Sequence, residues 1–117
     1  PMHPDAPLAA EAAREALKQK GPDGFWKMHD KLMANQQKLK REDLEAYAKE
    51  LGLDEAKFKA ALDNRTHKAA VEADDKAGSD IGISGTPAFL INNYYVSGAQ
   101  PYAKFKKLID RALAEAK

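Results

Sequence analysis

The sequence predicts a mixed α+β / α/β chain: five helices, then a β-hairpin, then a C-terminal helix. Three observations predict it. Up to residue 81 the apolar side chains recur at spacings of three and four, the period of a helix face. At Gly82 this gives way to a loop and an unbroken apolar run, Ala88-Phe89-Leu90-Ile91, followed by a second strand-like run, Tyr94 to Ser97. Beyond Pro101 the helical spacing returns in Tyr102, Phe105, Leu108, Ile109, Ala112 and Leu113.

The first helix is predicted over Pro7 to about Lys20, an Ala-rich segment with Leu8 and Leu17, opened by Asp5 and Pro7. Gly21-Pro22-Asp23-Gly24 breaks it. Phe25, Met28, His29, Leu32 and Met33 then mark one face of a second helix. After the polar stretch Asn35-Gln36-Gln37, a third helix carries Leu44, Tyr47, Ala48 and Leu51, with Gly52 at the left-handed position that ends it. Asp54 caps a short fourth helix carrying Phe58, Ala61 and Leu62. A fifth, roughly Thr66 to Ala77, has a weaker apolar face of Ala70, Val71 and Ala77. Ile83 to Pro87 is a loop. Asn92-Asn93 tolerates the positive φ of a tight hairpin between the two strands, and Pro101 opens the last helix. No internal repeat or low-complexity tract is present.

With 117 residues the chain has room for one modest core. Nineteen Lys and Arg against eighteen Asp and Glu give a net charge of +1, so no global field draws the chain to nucleic acid or an anionic membrane. A charged fraction of 32% beside 44% hydrophobic suits an ordered, helix-rich domain. No apolar run approaches the roughly 20 residues needed to span a bilayer. Zero cysteine excludes disulfides, thiolate metal sites and thiol nucleophiles within these residues. Position 1 is Pro with Met2 behind it, which is not a translation start, so the expectation is a processed, proteolysed or engineered chain. No signal peptide is visible, and its absence then says nothing about compartment.

Four stretches carry a family resemblance. Gly82-Ile83-Ser84-Gly85-Thr86-Pro87-Ala88-Phe89-Leu90-Ile91-Asn92 resembles the cis-proline segment of thioredoxin-fold proteins. Gly98-Ala99-Gln100-Pro101-Tyr102 with its amphipathic helix resembles the stretch after that segment in the bacterial DsbA family. Phe25-Trp26-Lys27-Met28-His29-Asp30-Lys31-Leu32 resembles a run in that family's helical insertion, and Pro1-Met2-His3-Pro4-Asp5-Ala6 the exit from its second core strand. A Thr-Pro pair alone is a weak signal, but four motifs in register over nearly the whole chain are a strong one. The resemblance implies an incomplete thioredoxin-like fold: residues 1–81 as the helical insertion, and residues 82–117 as the C-terminal ββα half with the cis-proline loop.

The resemblance also implies what this sequence lacks, namely the active-site helix that begins with Cys-x-x-Cys. In the family its first cysteine is a thiolate stabilised at a helix N-terminus; it attacks a substrate disulfide, and the second cysteine resolves the mixed disulfide. Without either sulfur, no turnover is expected from this chain alone, and no catalytic residue is assigned within it. The half-site that remains is Gly85, Thr86 and Pro87, with a cis Thr86-Pro87 bond. There the resemblance implies main-chain pairing of Thr86 with an extended protein or peptide substrate, and Pro87 as the wall beside the sulfurs. Taken alone, Thr-Pro reads equally as the start of a strand; the surrounding motifs favour the substrate loop. The implied compartment is extracytoplasmic, periplasmic or secreted.

Three functions compete: part of a thiol:disulfide oxidoreductase; a non-redox peptide-binding module on the same scaffold; and a glutathione-dependent isomerase or transferase relative. A Cys-x-x-Cys, its replacement, or a lone Ser upstream of Pro1 separates them. No cofactor and no metal are expected, because His3, His29 and His67 lack ligand spacing, and Asp74, Asp75 and Asp80 do not follow a calcium loop. His29 and Trp26 are expected in the core. The sequon Asn64-Arg65-Thr66 is discounted in a bacterial family. Glu42, Asp43, Glu45, Lys49 and Glu50 read as a solvated helix face. Neither nucleic acid nor membrane is expected as a partner. The resemblance implies that this hairpin pairs with strands of the missing N-terminal segment, so a strand apolar at every position, in a chain with no third strand, gives the expectation of a homo-oligomer, a domain swap or a separate N-terminal piece that covers the incomplete sheet.

Overall fold

Why the chain bends where it does is visible first at Gly21. In a computed structural model, which describes residues 3–116, the first helix α1 runs Ala6–Ala34 and is interrupted only at Gly21, with φ 69° and ψ −164°. Two helices with a four-residue break are predicted here; two helical segments are present, but Gly21 alone makes the break, so they run on as one kinked element. The reason is local. Pro22 stands at the start of the second segment, where a missing N–H is no loss, and Gly21 alone absorbs the turn. Pro1 and Met2, assigned to the exit from a core strand, lie outside the described residues.

The remaining elements are α2 (Arg41–Glu50), α3 (Glu55–Asp63), α4 (Lys68–Asp80), β1 (Ala88–Ile91), β2 (Tyr94–Ser97) and α5 (Tyr102–Glu115). Asp54 caps α3 as expected, its carboxylate accepting the Lys57 N–H at 3.0 Å. Gly52 ends α2 with φ 72°. The chain divides into two compact units, one up to Asp75 and one from Lys76 onward.

In the first unit α1, α2 and α3 pack on one another. The core combines the Ala face of α1 (Ala9, Ala12, Ala13, Ala16) with Met28, Leu44, Tyr47, Ala48, Leu53, Phe58 and Leu62. Alanine has no side chain beyond Cβ, so it lets the larger Phe58 and Leu44 approach α1 closely enough to fill the space. Tyr47 is buried to its hydroxyl, which donates to the Lys38 carbonyl at 2.7 Å. His29 and Trp26 are not core residues. Trp26 is 56% exposed, and His29 lies edge-on to it with ring centroids 5.0 Å apart. Met28 takes the buried position, and each successive residue is rotated by about 100°, so Trp26 and His29 turn outward.

In the second unit β1 and β2 form an antiparallel two-stranded sheet, with Phe89 opposite Val96 and Leu90 opposite Tyr95. Asn92 makes the turn with φ 52°. α5 packs on β1, placing Phe105 edge-on to Phe89 with centroids 4.7 Å apart. Of the face predicted for α5, Ala112 is buried and Phe105 and Leu108 are half-buried, whereas Tyr102, Ile109 and Leu113 are exposed.

The kink generates a close approach. A Cβ built on Gly24 would stand 2.7 Å from the Ala16 carbonyl oxygen and 2.6 Å from Lys20 Cβ. Gly24→Ala should therefore destabilise the protein. The helix-propensity gain of about 1 kcal/mol is outweighed by overpacking against backbone, typically 1–3 kcal/mol. A lower urea midpoint at unchanged slope is the expected readout.

Candidate functional site

The loop that carries the sequence-predicted residues begins at a helix end. At the end of α4, Gly82 takes φ 91°, its N–H reaches the Ser79 carbonyl, and the Ile83 N–H reaches that of Gly78, each at 3.0 Å. The chain thereby leaves the helix and runs through Ser84, Gly85, Thr86 and Pro87, all exposed. The Thr86–Pro87 peptide bond is cis. The Pro87 carbonyl accepts the Gly98 N–H at 2.8 Å, which closes the hairpin at its open end.

That bond fixes the direction of the main chain. In an antiparallel pair, residues alternate between facing the partner strand and facing away. With Pro87 bonded to Gly98, the residues opposite β2 in hydrogen-bonded pairs are Phe89 with Val96 and Ile91 with Tyr94. The N–H and C=O of Ala88 and Leu90 then point away from β2, along an edge that has no strand partner among the described residues. The Gly85-Thr86-Pro87 loop feeds straight into that edge. One sheet face, with Phe89, Ile91, Tyr94 and Val96, turns toward α5; the other carries Leu90 and Tyr95, which are 52% and 44% exposed.

The profile of the DSBA-like thioredoxin domain matches residues 5–110. The chain belongs to that family. Within the DSBA-like framework, the five helices and two-stranded antiparallel sheet form an incomplete α+β fold. Curated relatives carry a different kind of name. The chain is 41% identical over 91 residues to a Na(+)/H(+) antiporter, NhaA 3, of Salinispora tropica, a match that covers 78% of this chain and 14% of that protein. It is 44% identical over 93 residues to NhaA 1 of Salinispora arenicola, with the same two shares. To the NhaA antiporter of Herminiimonas arsenicoxydans it is 36% identical over 99 residues, covering 85% and 16%. The chain thus spans only 14–16% of the length of the curated relatives it matches. No helix among the described residues is long and apolar enough to cross a membrane. No solved structure matches the chain.

The DSBA-like loop has no sulfur of its own, since the sequence holds no cysteine. Among the described residues, no three His, Cys, Asp or Glu side chains gather to hold a metal ion. A polar depression lined by Glu15, Lys18, Gln19, Asp54, Lys57 and Thr66 lies on the helical unit and shares no residue with the loop.

Beside that depression is a cluster that sequence reasoning missed. Glu11 and Glu15, 1% and 3% exposed, are the buried charges of α1. Glu11 accepts a two-pronged contact from Arg65, whose guanidinium is held above its ordinary value chiefly by that hydrogen bond. Glu15 pairs with His67 Nε2 at 2.8 Å and accepts from Gln19 Nε2 at 2.6 Å. Arg65 itself takes φ 48°, unusual for a residue with a Cβ. The available signal was two glutamates, four apart, on a helix otherwise faced with alanine.

Both polar clusters can be tested by substitution. Arg65→Met should lower stability, since it strands the buried Glu11 carboxylate without its partner. Adding Glu11→Leu should recover most of that loss, and a urea double-mutant cycle measures it. At the end of α5, Glu115 accepts from the hydroxyl of Tyr94 on β2 at 2.6 Å and from Arg111 Nε at 2.9 Å. These bonds, Tyr94's first, hold the Glu115 carboxyl below its ordinary 4.5. A lowered folded value means the contribution is present above the ordinary value and lost as pH falls through the folded one. Tyr94→Phe should move the Glu115 titration upward, as read by carboxyl carbon NMR.

Proposed function

We propose that this chain contributes the substrate-facing half of a protein thiol:disulfide oxidoreductase. In this reading residues 1–81 are the helical insertion, residues 82–117 are the C-terminal ββα half, and Gly85, Thr86 and Pro87 form the recognition loop. The observation that carries it is the exposed Gly85-Thr86-Pro87 loop leading into a strand edge with outward main-chain groups at Ala88 and Leu90, in a member of the DSBA-like family. An extended polypeptide can bond to those groups whatever its side chains, which suits varied clients.

The exchange itself needs two thiols. A thiolate attacks one sulfur of a disulfide, a mixed disulfide forms as the other sulfur leaves as thiolate, and a second thiol displaces the first. With no cysteine among the 117 residues, both sulfurs come from polypeptide outside them. The chain alone then binds without turning over. The compartment for such an exchange on this reading is extracytoplasmic, where protein disulfides persist.

A second reading is favoured by the relatives' names: a domain of this kind working as part of a Na(+)/H(+) antiporter, outside its membrane-spanning portion. A reading frame that continues into membrane spans supports it, and a frame without any removes it.

The peptide test is an amide NMR titration of the chain with an extended client peptide whose cysteines are replaced by serine. Shifts should concentrate at residues 84–90. Shifts confined to the helical unit, or none at millimolar peptide, would end the recognition reading.

A further inference from the structure

The loop from Ile83 to Pro87 is anchored at both ends. At its far end the Pro87 carbonyl accepts the Gly98 N–H at 2.8 Å. At its near end the chain leaves α4 through two crossed bonds, Gly82 N–H to the Ser79 carbonyl and Ile83 N–H to the Gly78 carbonyl, each at 3.0 Å. With Gly82 at φ 91°, this is the ending in which a left-handed residue closes a helix, and an apolar contact commonly joins the residue after it to the last turn. Here that contact falls on a glycine. A Cβ built on Gly78 would stand 3.8 Å from Ile83 Cδ1 and 4.0 Å from Ile83 Cβ, so the isoleucine folds back over bare helix backbone. Gly78 and Ile83 are both half-buried, whereas Ser79, Asp80, Ile81 and Gly82 between them are exposed.

We infer, resting on the recognition reading of Gly85, Thr86 and Pro87, that Ile83 is the positioning residue of that loop. Its side chain, closed on Gly78, fixes the direction in which the chain departs from α4, and so where Gly85 and Thr86 present their main chain. Only Ser84, Gly85 and Thr86 stand between the two anchors. Gly85 has no Cβ to restrict its dihedrals, so this short segment takes its course from its ends.

The two backbone bonds at Gly82 do not fix that course by themselves. They lie at an exposed helix end, where such bonds open readily. The apolar contact of Ile83 is the part for which water does not compete. A loop held in line before a client arrives spares the cost of ordering it on binding.

Three substitutions act on this contact. Ile83→Ala removes it. Ile83→Leu keeps its volume and reach. Gly78→Ala adds a methyl group at ordinary van der Waals distance from Ile83, inside a helix, and so strengthens it. With no client present, amide nitrogen relaxation should show Ser84, Gly85 and Thr86 more mobile in Ile83→Ala than in the parent, alike in Ile83→Leu, and less mobile in Gly78→Ala. The Val96 and Gly98 amides should not change in any of them. Titrated with the serine-replaced client peptide, Ile83→Ala should bind about tenfold more weakly, the equivalent of ordering one further residue. Ile83→Leu should match the parent, and Gly78→Ala should bind more tightly. Unchanged mobility at residues 84–86 in Ile83→Ala, a peptide affinity there equal to the parent's, or weaker binding by Gly78→Ala would each overturn the inference. If Ile83→Ala does not fold, Gly78→Ala decides alone, and no gain in order at residues 84–86 overturns it. A parent that binds no peptide ends the recognition reading instead, and the relaxation measurement, which needs no client, tells that failure from a failure of the Ile83 contact.

Discussion

A β-strand has two edges, and the single bond from the Gly98 N–H to the Pro87 carbonyl decides which groups of β1 face which edge. Shift that register by one residue and Phe89 and Ile91 would turn away from α5 while Leu90 turned toward it. The Phe89–Phe105 contact, the burial of Val96 and the outward direction of the Ala88 and Leu90 main chain therefore stand or fall together. The exposed loop at Gly85 to Pro87 owes its position to the same bond, because Pro87 is both the last loop residue and the first anchored one. On the proposed reading, recognition through main chain is set by this pairing geometry, with side chains only holding the register.

The helical unit solves a different problem. Its α1 face is alanine, which packs closely but buries little apolar area per residue. Into that face are set two carboxylates, and a buried carboxylate is costly unless it is fully bonded. Arg65 and His67 supply the bonds from the segment that joins α3 to α4. The next helix, α4, has no buried residue. Its first half is tied to α1 by the Arg14–Asp74 ion pair. The polar pairs thus fix a connection that hydrophobic packing leaves open, and they specify position more than they add stability.

This contrast explains what was legible in the sequence. Helices, the hairpin and the Asp54 cap obey local rules, in which the deciding residues lie within four positions of each other. The loop residues 85–87 were named by resemblance, and they lie exposed between α4 and β1. The Glu11–Arg65 and Glu15–His67 pairs span 54 and 52 residues, so no local pattern announces them. The break at Gly21 was legible but its length was not, because Gly-Pro signals a break without saying whether one residue or four will absorb it. His29 was assigned to the core by its spacing from Phe25, and Trp26 as an aromatic beside it, but Met28 and the half-buried Leu32 hold the inward line and the rotation per residue carries their neighbours outward.

On the proposed reading, a chain without cysteine still has a coherent part in disulfide exchange. Holding a client requires main-chain donors and acceptors in a fixed line; transferring electrons requires sulfur. The two demands fall on different atoms, so they can fall on different stretches of polypeptide. The first is met along Ala88 and Leu90 by groups that every residue type possesses. What distinguishes this edge is therefore what it lacks: charge, bulges, and proline beyond position 87. An edge so unprotected is the kind that water alone does not keep free. On that reading, this edge is where the strand of a client adds.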